Sequence, residues 1–456
     1  MRLASWTVTT ETAPWRAGPA VEPSSVTAMP DVFLQLDTEL QEITGFGTAF
    51  NEMGWTSLAH LSEEQRAEIL HELYAPGVGG SFTLGRMPVG ANDFSRDWYS
   101  YDEVPGDLEL EHFSIANDHE TLIPFIRAAK EHQPELAVWA SPWSPPSWMK
   151  TNGHYAAARP AIAFSQVENG LEEHQVGVEG TDMFILEEAY LAAYAAYFGK
   201  FVDAYAEQGI AIGMVMPQNE FNSPQVFPSC TWTPEGLAAF LRHLGPEMAS
   251  RGVEVFLGTL ERANGALVDG VLADAEAAAV VRGVGVQWHG KGAVRLLHRD
   301  HPELPIWQTE QECGDGRNDW RFARYSWALM RDFLLDGASA YHYWNLSLEQ
   351  GGVSRWGWSQ NSLVVVDAEA GTYEFTHEYQ VLKHVSHFVK PGAHLIQALS
   401  YTGFENQLAF RNPDGSIVVV MQNDLAVEQP VSILVGEQVL TPVLPADSLS
   451  TFVIEL

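Results

Sequence analysis

Short apolar runs alternate along most of this chain with longer stretches whose apolar positions recur every three or four residues. The runs cover 43–50, 82–89, 137–143, 211–220, 253–260, 283–289, 305–312 and 338–346. Each is strand-length and largely apolar, the pattern of strands buried on both faces of a parallel sheet. The stretches between them read as helices with definite ends. Ser62-Glu-Glu-Gln65 is a capping box, in which hydroxyl and amide side chains satisfy the first unpaired N–H groups, ahead of Ile69, Leu70, Leu73 and Tyr74. Thr233-Pro234-Glu235 sets an N-cap before a first-turn proline, where no N–H is missed, ahead of Leu237, Phe240, Leu241 and Leu244. A further helix is expected from about Asp319 to Asp336, stopped by Gly337, and a last one over 377–389. Eight strand–helix units in succession predict an α/β fold, a closed (β/α)8 barrel of the TIM type.

The pattern changes at both ends. Residues 1–40 hold short alternating pieces, Ser5-Trp-Thr-Val-Thr-Thr10 and Asp31-Val-Phe-Leu-Gln-Leu-Asp37, around a turn-rich stretch. Toward the other end, Leu408-Ala-Phe-Arg, Ser416-Ile-Val-Val-Val-Met-Gln, Val431-Ser-Ile-Leu-Val and Ser450-Thr-Phe-Val-Ile-Glu-Leu456 are strand-like, parted by turns such as Asn412-Pro-Asp-Gly415. The expected organisation is N-terminal strands over 1–40, a catalytic barrel over 41–390 and a C-terminal β-sandwich over 391–456. Both termini are expected to build that one side all-β domain, because chain ends often meet on one surface. Residues 153–182 break the barrel rhythm: they are polar, acidic, aperiodic, and follow the third strand. A lid or subsite wall over the active face and a plain surface insertion both fit that position.

A hydrophobic fraction of 46%, with 15 Trp and 22 Phe, is enough for a large core and excludes disorder for the bulk of the chain. The 59 acidic against 25 basic residues give a formal charge of −34, a field that repels nucleic acid and anionic lipid, so neither is expected as a partner. The two cysteines, Cys230 and Cys313, have no zinc-ligand spacing and form no disulfide framework; reduced, buried thiols are expected. Residues 1–20 show no basic flank followed by an apolar core. No apolar run approaches the roughly 20 residues of a membrane helix. The expected location is the cytoplasm.

Two of the apolar runs end in carboxylates. Met214-Val-Met-Pro-Gln-Asn-Glu220 ends the fourth and Ile306-Trp-Gln-Thr-Glu-Gln-Glu312 the seventh. In such a barrel the C-terminal strand ends carry the chemistry, and strands four and seven stand nearly opposite. Glu220 and Glu310 are therefore expected to face each other across the mouth. Two carboxyls about 5–5.5 Å apart are what a retaining glycosidase uses, one attacking the anomeric carbon and one shuttling a proton. Asn219 is placed to bond a sugar 2-hydroxyl, and Glu312 is the second candidate for nucleophile. Trp143, Trp288, Trp344, Trp356 and Trp358 fall at strand ends or in the loops after them, where indole faces stack on sugar C–H groups. Trp288 and His289, at the sixth strand end, complete the candidate substrate contacts.

Taken in order, Gly45-Phe-Gly-Thr-Ala-Phe-Asn-Glu52, Ala140-Ser-Pro-Trp-Ser-Pro-Pro-Ser-Trp-Met-Lys-Thr-Asn-Gly153, Gln218-Asn-Glu220, Thr309-Glu-Gln-Glu-Cys-Gly314 and Trp344-Asn-Leu resemble glycoside hydrolase family 30, the glucosylceramidase-like group of clan A. The resemblance implies a (β/α)8 barrel with a side sandwich and retaining hydrolysis of β-glycosides. By motif it implies Glu220 as acid/base and Glu310 as nucleophile, with Glu52, Trp143, Asn219 and Trp344 at positions that bind the non-reducing sugar. The glucosylceramidases of the group have Asp where this chain has Glu52 and Glu-Asn-Glu-Pro where it has Gln218-Asn-Glu-Phe221, so the mechanism carries over and the sugar does not. The expectation is an exo-acting β-glycosidase on small glycosides or short oligosaccharides, β-glucoside or β-1,6-glucan first. β-1,6-Galactanase, β-xylosidase and β-fucosidase are the alternatives within the family, and a role in sphingolipid metabolism enters by resemblance alone. Of other classes, a metal-dependent hydrolase using His289, His342 and a carboxylate lacks a His-x-His strand end. A non-catalytic carbohydrate-binding barrel would not need both acids. No cofactor is expected, and the partner is a small-molecule carbohydrate.

Overall fold

The computed structural model describes residues 1–161, 165 and 167–456 and contains a closed barrel of eight parallel strands. These are β1 Gly45–Ala49, β2 Leu84–Pro88, β3 Ala137–Ser141, β4 Ile212–Val215, β5 Glu254–Leu260, β6 Val281–Gln287, β7 Ile306–Glu310 and β8 Ala338–Asn345. Neighbours follow chain order, and β8 closes on β1 through pairs such as Ala340–Gly45 and His342–Gly47. Seven strands lie inside the expected runs. β6 starts earlier, at Val281, and ends at Gln287, which leaves Trp288 and His289 in the following turn. β4 is only four residues long, far shorter than the run over 211–220. Pro217 has no N–H to give a ladder, so the chain leaves the sheet and turns before Glu220.

Leu84, Trp139, Met214, Met216, Phe256, Trp307 and Ala340 pack together inside the barrel, a plug of side chains contributed by strands all round it. The helices end as their caps dictate. The Ser62 hydroxyl accepts from Gln65 N while Gln65 Oε1 accepts from Ser62 N, opening Glu63–Tyr74. Thr233 Oγ1 accepts from Gly236 N to open Pro234–Ala249, and Asp319 caps Trp320–Leu335. The last barrel helix is His377–Ser386, shorter than expected. Ahead of it lies a small sheet of Ser347–Glu349, Val364–Asp367 and Thr372–Phe375 that the hydrophobic pattern did not announce.

Beside the barrel lies a ten-stranded sheet. Arg2–Thr10 pairs antiparallel with Ser448–Glu455, and Val32–Ile43 pairs antiparallel with Ala393–Ser400. Its strands alternate face by face. Ile417, Val419, Met421, Phe452 and Ile454 build a core within the side domain. Val418, Val420, Leu408, Phe410 and Leu449 turn the other way and join the barrel's core. Period-two alternation thus glues the sheet to the barrel with one face and gives it its own interior with the other. Of the expected insertion over 153–182, residues 162–164 and 166 lie outside the described residues. No helix among the described residues is long and apolar enough to cross a membrane.

Candidate active site

Arg86, on β2, is fully buried at the C-terminal end of the barrel. One arm donates to Glu310 Oε2 at 2.6 Å and to the carbonyl of Thr309 at 3.2 Å. The other donates to Asn219 Oδ1 at 2.7 Å and to Ser141 Oγ at 3.1 Å. Its guanidinium carbon lies 5.1, 4.6 and 5.2 Å from the ring centroids of Trp139, Trp143 and Trp344. Three electron-rich faces around a desolvated cation add to the hold of its hydrogen bonds. Gln287, the last residue of β6, donates to Asn219 Oδ1 at 2.7 Å and to Glu310 Oε2 at 3.1 Å. Arg86 and Gln287 together bridge the end of β7 to the turn after β4.

That turn is locally strained. Glu220 has φ +47°, a left-handed conformation that costs a side-chain-bearing residue on the order of 1–3 kcal/mol. Thr259 Oγ1 accepts the Glu220 N–H at 2.8 Å and donates to Asn219 Oδ1 at 3.2 Å, so β5 fixes the turn from below. Gln225 Nε2 donates to Glu220 Oε2 at 2.8 Å. Among the described residues, Glu220 Oε1 and Glu310 Oε1 receive no hydrogen bond, so each carboxyl keeps one oxygen for a substrate.

Burial and then the charge of Glu310 push the Glu220 carboxyl well above the usual carboxylate range, against the pull of Gln225 and Arg86. Burial raises Glu310 too, but Arg86 opposes it through both its charge and its hydrogen bond. The carboxyl bonded to the cation ionises first, and the one lacking it keeps its proton. A third carboxyl belongs to this field. Asp93, in the loop after β2, is buried and raised by desolvation and by Glu310, with Arg86 and the Trp344 indole opposing. Its Oδ1 has no hydrogen bond among the described residues.

Of the residues singled out from the sequence, Glu220, Glu310, Asn219, Trp143 and Trp344 come together. Trp143 and Trp344 lie with ring centroids 5.1 Å apart and spend their faces on each other and on Arg86. Glu52 is not in this cluster. It opens the helix Glu52–Leu58, with Oε1 accepting from Arg96, Asn117 and Thr121 and Oε2 from the Arg96 backbone. Glu312 accepts from the Tyr325 hydroxyl at 2.8 Å, and no hydrogen bond joins it to Arg86. His289 is stacked on Trp288 and bonded through Nδ1 to Glu261 at 2.8 Å, on the exposed rim. Trp356 is buried, its carbonyl accepting from Ser165 beneath Tyr155. His342 lies inside the barrel between Gln308 and the Trp139 indole, separate from His289. Among the described residues no group of three or more His, Cys, Asp or Glu is arranged to hold a metal ion. Cys230 and Cys313 are free, buried thiols. The reading of the sequence missed Arg86, Asp93, Gln287 and Gln225. For Arg86 a signal was present: a lone cation in the middle of a buried run.

Residues 43–168 and 171–389 match the glycosyl hydrolase family 30 TIM-barrel domain, and residues 394–452 the glycosyl hydrolase family 30 beta sandwich domain. Putative glucosylceramidase 1 of Caenorhabditis elegans is 29% identical over 409 residues, spanning 84% of this chain and 74% of that one. Mouse lysosomal acid glucosylceramidase is 27% identical over 426 residues, 88% of this chain and 78% of the other. The endo-1,6-beta-D-glucanase neg1 of Aspergillus fumigatus is 27% identical over 405 residues, 84% and 78% of the two chains. Among solved structures, SrfJ from Salmonella typhimurium superposes with a TM-score of 0.87 at 23% identity over 99% of both chains. The endo-beta1,6-glucanase BT3312 does so with 0.83 at 21% identity over 98% of this chain and 99% of that one. With barrel and sandwich both matched, in order and over nearly its whole length, this chain belongs to glycoside hydrolase family 30 and is a glycoside hydrolase.

Proposed function

We propose that this enzyme hydrolyses β-glycosides with retention of anomeric configuration. Glu310 Oε1 attacks the anomeric carbon as Glu220 gives its proton to the departing glycosidic oxygen, leaving a glycosyl ester on Glu310. Glu220, now ionised, takes a proton from water as that water attacks the anomeric carbon, the bond from that carbon to Glu310 breaks, and Glu310 departs as carboxylate. The observation that carries this reading is the pair of buried carboxyls, each with one oxygen unbonded, in which Arg86 and Gln287 tie Glu310 to Asn219, the residue before Glu220. The asymmetry between them supports the roles: Arg86 touches Glu310 and not Glu220. Asn219 uses only its carbonyl oxygen within the network, so its amide nitrogen is available to a sugar 2-hydroxyl.

The substrate is read as a β-glucoside or a short β-1,6-linked gluco-oligosaccharide, cut from its non-reducing end. Relatives named for glucosylceramide and for 1,6-β-glucan both favour a β-linked glucosyl unit at the cleaved bond. The likeness to neg1 favours endo-cleavage of β-1,6-glucan as the second reading. A panel of nitrophenyl β-glycosides gives the sugar, and the first products from β-1,6-gluco-oligosaccharides give the mode: glucose and the chain one unit shorter for exo, two shorter oligosaccharides for endo. A 2-deoxy-2-fluoro glycoside should trap the intermediate on Glu310. A label on Glu312 instead, or an inverted first product by NMR, would sink the assignment.

A further inference from the structure

Glu220 receives one side-chain hydrogen bond among the described residues, from Gln225 Nε2 to Oε2 at 2.8 Å. The same amide donates to Ser223 Oγ at 2.9 Å. The Gln225 backbone is itself clamped. Its N–H donates to Ser229 Oγ at 2.9 Å. Its carbonyl accepts from Ala157 N at 2.9 Å and Ala158 N at 2.8 Å, both in the polar segment after β3. Asn169 tightens the join, its Nδ2 donating to Ala158 O at 2.9 Å and to Val226 O at 2.7 Å. The segment that interrupts the barrel rhythm is therefore bonded to the loop that touches the acid.

We propose that Gln225, held by this backbone clamp, is the positioning residue of Glu220: it occupies Oε2 and so leaves the proton on Oε1, facing the departing oxygen. The proposal rests on the two-carboxylate reading above and gives the 153–182 segment a task within it. Without the amide, a carboxyl on a left-handed turn has no side-chain partner to fix its rotation, and acid assistance falls. The amide also favours the charged form of Glu220, so its loss moves the group's pKa further upward. The other charges that face Glu220, namely Glu310, Asp93 and Arg86, stay in place when Gln225 is replaced.

The test uses Gln225→Met, which keeps volume and removes the donor, and Asn169→Ala, which loosens the clamp without touching Glu220. Aryl β-glycosides of the preferred sugar are compared, one with phenol and one with 2,4-dinitrophenol as leaving group, since only the first needs a proton to depart. For Gln225→Met, kcat/KM on the phenyl glycoside should fall about 10- to 100-fold, with less than about a twofold change on the dinitrophenyl glycoside. The basic limb of its pH profile should move to higher pH, and Asn169→Ala should show the same split to a smaller degree. Equal losses on both substrates, or no loss on the phenyl glycoside, would overturn the proposal. Fluoro-glycoside labelling of Glu310 is run on the wild type alongside. Its absence there would overturn the two-carboxylate reading itself, a separate result from equal losses in an enzyme that labels normally.

Discussion

Arg86 is the residue on which the charges of the site depend. It is buried, its one ion-pair partner among the described residues is Glu310, and three indoles enclose it. Replacing it with Met strands a buried carboxylate, which costs about 3–5 kcal/mol and should appear as a lower midpoint in chemical denaturation. Arg86→Lys keeps the charge but cannot reach both Glu310 and Asn219, so it should retain more stability than activity. The pH profile follows from the same electrostatics. On the proposed mechanism turnover needs Glu310 ionised and Glu220 protonated, and burial raises both. The expected kcat/KM profile is a bell displaced above the ordinary carboxylate range, lost at low pH as Glu310 gains a proton and at high pH as Glu220 loses one. In Arg86→Met the acidic limb should move upward, and in Glu220→Gln the basic limb should disappear along with most activity on poor leaving groups. Glu220 and Glu310 stood out in the sequence as a pair: one acid at a strand end reads as a surface or salt-bridged group, but two, at the ends of nearly opposite strands with tryptophans around them, do not. Arg86 sits inside an apolar run, Leu84-Gly-Arg-Met-Pro88, where a lone cation marks the position as unusual, and closure of the barrel shows what it is for, since the side chain turns inward onto Glu310. Asp93 lies in a loop with no period to place it, and Glu52 satisfies both its oxygens at a helix start.

At the scale of elements, local chemistry was the readable part. The capping box at Ser62 and the Thr233-Pro pair each start a helix through a bond that spacing alone foretells, and the helix expected from about Asp319 starts there on an Asp319 cap. What spacing did not foretell was where strands stop, because apolar residues run on past the last ladder bond. β4 ends at Val215 while the apolar run continues through Met216 to Pro217, and Ser347–Glu349 is too short to carry an alternation. Gly337 is a case where sequence and backbone agree. It ends Trp320–Leu335 with φ +113°, and a side chain there would run into the His298 ring. Gly337→Ala should lower stability by about 1–3 kcal/mol in urea titrations. It joins the helix to the start of β8, at the barrel end away from Glu310, so kcat should change less than twofold on a good substrate. A large loss of kcat with unchanged stability would show that the two ends of the barrel are coupled.

On the scale of the whole molecule, the question is how barrel and side sheet are held as one body. Alternation showed that the C-terminal strands exist, but with Val418 and Val419 both apolar it could not say which face meets the barrel. Polar side chains mark the seam. Trp15 lies 4.2 Å from Lys383 Nζ and stacks at 5.5 Å on Phe388. His384, on the last barrel helix, bonds Thr451 through Nδ1 at 2.7 Å and Thr9 through Nε2 at 2.8 Å, joining strands from both termini. The Thr451 hydroxyl gives its proton to the His384 carbonyl, so it accepts from Nδ1–H. Burial with the nearby Lys383 lowers the pKa of the ring to about 3, so the ring is neutral with its proton on Nδ1, and Nε2 accepts from the Thr9 hydroxyl. In the unfolded chain the same ring titrates near about 6.5, so below that pH the unfolded state binds the extra proton. The stability this contact contributes is full above that pH and is lost as pH falls toward the folded value, at about 1.4 kcal/mol per unit. Buried carboxyls with raised pKa act in the opposite sense, so the slope for the whole protein does not isolate the seam. The difference between the wild type and His384→Gln does. Wild type should be the more stable at pH 7, and its advantage should shrink by roughly 1–2 kcal/mol by pH 5 in paired denaturation curves. An advantage independent of pH would mean that His384 holds the two parts together by shape alone and not as a neutral acceptor and donor between two threonines.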